Sequence, residues 1–112
     1  MEFKLVDTET IREYRIGDAV IRYREALPVT VTAAYARHSL GTERGVEVDI
    51  EQVMRDILSA HVLGWEGVTL DGAPLPYSLD TLLRIRGVPD ALFARIVGSV
   101  PAEDGGQSGE RP

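Results

Sequence analysis

The segment from Asp49 to Pro76, DIEQVMRDILSAHVLGWEGVTLDGAPLP, restricts the fold more than any other part of the chain. Ile50, Val53, Met54, Ile57, Leu58, His61 and Val62 recur at steps of three and four, which lines them along one face of an α-helix. Asp49 stands where an N-cap acceptor is wanted, and Gln52, three residues on, completes a variant capping box. Gly64 occupies the place of a left-handed residue that would end the helix. One-sided apolar helices need a covering layer, so the rest of the chain must supply one.

The first candidate lies upstream. Ile11–Ile16 and Ala19–Glu25 flank Gly17-Asp18, and a two-residue loop with glycine first suits a type II′ hairpin. That register pairs Ile16 with Ala19, Tyr14 with Ile21 and Arg12 with Tyr23. It gathers Tyr14, Ile16, Ile21 and Tyr23 on a covered face and sets Glu13 opposite Arg22 on the other. A slip by one residue would bury those charges, so turn chemistry and pattern agree. Ahead of the hairpin, residues 2–7 have short β character, with Phe3 and Leu5 on one side.

Leu27-Pro28 closes this region. From about residue 30 the spacing favours a helix, capped by Thr30 or Thr32 and burying Val31, Ala34, Tyr35 and in part His38. Gly41 to Gly45 is expected as a loop. After Trp65, the turn signal Asp71-Gly72 lies within a Gly/Pro-punctuated connector and suits a small hairpin. Ser78 then caps a short helix with Leu79, Leu82 and Leu83 inward, stopped by Gly87. Pro89 opens the last helix, whose apolar face is Leu92, Phe93, Ile96, Val97 and Val100. Strands followed by helices imply an α+β fold: an N-terminal β-hairpin packed on three to four helices. Residues 1–100 are expected as one domain, and residues 101–112, without an apolar anchor, as a disordered tail.

Composition narrows the chemistry. With 112 residues and 44% hydrophobic content the chain can bury one modest core. Zero cysteines exclude disulfides, thiolate nucleophiles and sulfur-rich metal sites. A net charge of −6 argues against a phosphate-backbone binder. No apolar run approaches the roughly 18 residues of a membrane span, and MEFKLVDTET lacks the apolar centre of a signal peptide, so a cytosolic protein is expected.

Few residues converge on a reaction. His61 sits on the apolar helix face as a core histidine would, with no carboxylate at ligand spacing, and His38 falls at a helix surface. Glu51 and Asp56 are expected as solvated charges, while Asp80 and Asp90 occupy first helical turns where the dipole favours them. Gly41-x-x-x-Gly45 lacks the lysine of a P-loop. Arg12, Arg15, Arg22 and Arg24 alternate with Tyr14 and Tyr23 on the hairpin, the one arrangement that suits phosphates and bases. Glu13, Asp18 and Glu25 stand against that use. Trp65 suits either a core plug under the connector or an anchor at an interface. No catalytic group, metal or cofactor is expected.

The run LSAHVLGWEGVTLDGAPLPYSLDTLLRI, followed by a P-x-x-L-x-x-x-I helix, resembles the tail assembly chaperones and related small tail proteins of siphophages. The matching residues are Gly64-Trp65, Asp71 to Pro76, Ser78, Leu82, Leu83 and Pro89 to Ile96, with Ile21-Arg22-Tyr23-Arg24 similar upstream. The resemblance implies a non-enzymatic factor in the host bacterial cytoplasm. Such a factor binds the tape-measure protein, keeps it soluble and helps recruit tail-tube protein. Tyr14, Arg22, Tyr23, Arg24, Trp65 and Leu70 are the candidate partner-binding residues. A structural tail or head–tail joining subunit, and a small nucleic-acid or regulatory binding module, remain alternatives.

Overall fold

The computed structural model describes residues 1–99, so the expected tail, and Val100 of the last apolar face, lie outside the described residues. Strands β1 (Arg12–Ile16) and β2 (Ala19–Tyr23) form the expected hairpin. Its register is the expected one, Ile16 with Ala19, Tyr14 with Ile21, Glu13 with Arg22 and Arg12 with Tyr23. At the turn the positive φ is confined to Gly17, at 57°, and Asp18 keeps a negative φ, as a type II′ turn requires. Ile21 and Tyr23 are fully covered and Tyr14 half-covered, while Ile16 at the hairpin tip, expected on the covered face, stays 40% exposed.

Residues 2–7 form no strand and are exposed. Helix α1 (Pro28–Arg37) begins earlier than its threonines suggest, with Pro28 at its first position and no side-chain cap. Proline tolerates that position because the amide it lacks would have no intrahelical partner. Ala34 is buried, with Val31 and Tyr35 packed beside it as expected. The 41–45 segment is not a plain loop. β3 (Ser39–Thr42) and β4 (Gly45–Val48) pair as a second hairpin around a two-residue turn, Glu43-Arg44.

Helix α2 (Ile50–His61) is the centre of the molecule. Asp49 caps it by accepting from the Gln52 amide, as the sequence indicates. Val53, Ile57 and Leu58 are buried, and the helix packs against α1 and α4. The expected glycine stop is overturned: the helix ends at His61, and Val62 to Glu66 continue as strand β5, with Gly64 inside it. β5 pairs antiparallel with β2, making a three-stranded sheet of order β1-β2-β5. The pairing explains the switch. β2 carries the buried face of the sheet, and its free edge binds an extended neighbour more effectively than one glycine ends a helix. Trp65 lies opposite Ile21, and a register shift beside Tyr23 leaves Leu63 unpaired and exposed.

The connector contains the expected small hairpin, β6 (Thr69–Leu70) and β7 (Ala73–Pro74), turning at Asp71-Gly72, both with positive φ. Helix α3 (Leu79–Leu83) starts at the Ser78 cap, which accepts from Thr81 N–H at 3.1 Å. Gly87 does not stop α3, which has ended by Arg84; it precedes α4 (Val88–Val97) as the residue at its N-cap. Leu92 and Ile96 of α4 enter the core beside Leu82, Ile57 and Tyr23. The Ala26 amide donates to the Ile96 carbonyl at 2.9 Å, fastening the end of the sheet to the last helix. The result is α+β: a small antiparallel sheet on a body of four helices.

Candidate functional site

The hairpin arginines are occupied. Arg22 lies 3.4 Å from Glu13 and 3.3 Å from Glu66, and the hydrogen bond and charge of Glu66, helped by Glu13, raise its pKa above the ordinary arginine value. Arg15 pairs with Glu13, and Arg12 approaches Glu25 at 3.9 Å. Arg24 donates to the Glu9 carbonyl at 3.4 Å. The carboxylates beside Arg12, Arg15 and Arg22 offset the positive charge that a phosphate would need. The alternation of arginine with acid across the strands therefore makes a self-neutralised sheet surface.

The aromatic members are mostly structural as well. Tyr23 is fully buried, so it presents no surface to a partner, contrary to its place among the candidate binding residues. Tyr14 is half-buried, with the Arg95 guanidinium 4.2 Å above its ring. Trp65, half-buried on β5, packs against the core under the connector, the first of its two expected placements. Its indole N–H donates to the Leu75 carbonyl at 2.7 Å, and its ring meets Tyr77 edge-on at 5.0 Å. Trp65 thus pins the connector to the sheet. Leu70, at the tip of the β6–β7 hairpin, is 60% exposed and is the one candidate that projects an apolar side chain outward. These six residues do not converge on one surface.

A different set does. The first turns of α2, the end of α3 and the start of α4 enclose an open groove of about 730 Å³. Ile50, Met54, Leu83, Ile85 and Pro89 supply its apolar lining, and Glu51, Arg55, Asp80, Arg84 and Asp90 stand around it. Arg55 joins two sides, reaching Glu51 at 3.2 Å on its own helix and Asp80 at 3.7 Å on α3. Ile50 is 48% exposed although it opens the apolar face of α2. The sequence contains a clue to this. The stripe begins one turn before Val53, where burial begins, so its first residue outruns the layer that covers the helix.

The two histidines serve packing. His61 holds the carbonyl of Ile57 at 2.9 Å through Nδ1, as a half-buried helix histidine would. His38 is not a free surface residue: its Nε2 lies 2.7 Å from the Asp56 carboxylate, which Arg37 also grips at 2.9 Å. Asp56 is therefore a clamp between α1 and α2 rather than a solvated charge, and the hydrogen bonds from His38 and Arg37 hold its pKa below the usual aspartate value. Among the described residues, no group of three histidine, aspartate or glutamate side chains is placed to hold a metal ion. No helix among them is long and apolar enough to cross a membrane. No protein family model, curated protein or solved structure matches the chain.

Proposed function

We propose that this protein is a non-catalytic assembly chaperone of the siphophage-tail kind, acting in the host bacterial cytoplasm. It binds an amphipathic helix of the tape-measure protein and releases it as tail-tube protein assembles around the tape. The groove between α2, α3 and α4 carries this reading. Its apolar lining with charged residues around it is what an amphipathic helix needs, with anchors at i, i+3, i+4 and i+7 set into a groove. A tape measure is long and helical, and its apolar faces aggregate unless a partner covers them. The resemblance in Gly64-Trp65 and Asp71 to Pro76 supports the same reading from the sequence. Those residues form the sheet edge and connector that lead into α3, one wall of the groove.

Co-expression with the tape-measure protein from the same gene cluster tests it. The expected result is a soluble tape measure that co-purifies with this protein, and finished tails that lack it. Ile50→Glu places a charge in the groove lining at a half-exposed position, so binding should be lost while the fold is kept. A tape measure equally insoluble with and without this protein, together with stoichiometric amounts of it in virions, would establish a structural subunit instead.

A further inference from the structure

A solvent-facing segment without a partner and the outer edge of one strand have matching sequences in this molecule. The first is residues 3–6, Phe3-Lys4-Leu5-Val6, where Phe3 is 78% and Leu5 90% exposed. Phe3 and Leu5 flank the chain's single lysine, the spacing that would put both on one side of a strand and Lys4 on the other. The second is β4, Gly45-Val46-Glu47-Val48. It pairs only with β3, in a two-stranded sheet, and among the described residues no backbone hydrogen bond reaches its outer edge. Val46 is 71% exposed. Isolated two-stranded sheets are marginal in water, and a bare edge is a template for another strand.

We propose that two copies of this chain dimerise by strand exchange, residues 3–6 of each copy adding antiparallel to β4 of the other. The register is fixed by the residues. Lys4 falls opposite Glu47, Phe3 opposite Val48 and Leu5 opposite Val46, so both apolar pairs lie on one face and the ion pair on the other. A one-residue slip would set valine against lysine and glutamate against leucine or phenylalanine. Within one copy the two elements stay apart. The segment is tethered beside the β1–β2 sheet by the turn that Asp7 makes with the Glu9 and Thr10 amides and by the Arg24 bond to Glu9. The hairpin, by contrast, is rooted between α1 and α2. Each copy then gives one strand and receives one, which closes as a two-fold dimer with no strand left over.

Sedimentation analysis of the full chain over a range of concentrations tests the proposal. The expected result is a monomer–dimer equilibrium. Lys4→Glu and Glu47→Lys should each raise the dissociation constant by roughly three- to tenfold, and the two together should restore it. Phe3→Ser with Leu5→Ser should abolish the dimer while leaving the far-ultraviolet circular dichroism unchanged, since both side chains are exposed in the monomer. A chain that stays monomeric to millimolar concentration overturns the proposal. So does a dimer indifferent to these substitutions, or a double charge reversal as weak as either single one.

Discussion

The two principal hairpins of this protein are built alike and fare differently. Each joins short strands by two residues, Gly17-Asp18 in β1–β2 and Glu43-Arg44 in β3–β4. The first gains a third strand, β5, and buries Ile21 and Tyr23 against helices. The second remains two-stranded, with Leu40 67% and Val46 71% exposed and only Val48 touching the core. A hairpin becomes part of the core when one of its faces is mostly apolar. A turn alone makes only a hairpin. In β3–β4, Glu47 shares a face with Leu40, and glycine and serine accompany Val46 on the other, so neither face is worth burying.

Truncation should separate the two hairpins most sharply. Tyr23→Ala removes a fully buried ring and should cost about 3–5 kcal/mol in denaturant unfolding, close to the whole stability of a domain this size. The matching change in the exposed hairpin, Val46→Ala, should stay within about 0.5 kcal/mol when the chain is dilute. Equal losses would mean that the second hairpin is as buried as the first.

The tip of the first hairpin offers a smaller but equally specific test. Gly67 has φ of 78°, and a Cβ there would stand 2.3 Å from the Asp18 carbonyl oxygen in the β1–β2 turn. Gly67→Ala must therefore displace backbone from backbone, and about 2–3 kcal/mol of destabilisation is expected from thermal or denaturant melts. A neutral substitution would show that the connector does not close over that turn.

The root of the second hairpin should respond to pH. Arg37 and His38 stand immediately before β3, and both hold Asp56 on α2. Because folding lowers the Asp56 pKa, the clamp stabilises fully above the unfolded value, near 3.8. That contribution fades below it and is lost as pH falls through the lower folded value. The stability difference between the native chain and Asp56→Asn should accordingly shrink as pH falls below 4. A difference that grows as pH falls below 4 would reverse the assignment.

The same contrast explains how much could be read from the residues. The β1–β2 register, the Asp49 and Ser78 caps and the Asp71-Gly72 turn follow from local chemistry, so they are open to inspection. The strand β5 is not, because its existence depends on an edge of β2 more than thirty residues away, and the pairing overrides both Val62's place on the helix stripe and the helix stop expected at Gly64. Of the candidate binding residues, Tyr23 was misplaced because the alternation that makes a strand cannot say which aromatic the helices will cover. The groove is hidden in the sequence for the opposite reason. Its lining comes from three helix ends, and only Ile50, at the head of an apolar stripe longer than its cover, hinted at it.

Photo-cross-linking tests the central claim, that a helix of the tape-measure protein lies in the groove, most directly. A photoreactive phenylalanine would replace Ile50 in the groove or, separately, Val46 in the exposed hairpin, in cells that also make the tape-measure protein. A cross-link to the tape measure is expected from position 50, and from position 46 only a cross-link to a second copy of this chain. Tape-measure cross-links from position 46 and none from position 50 would contradict it.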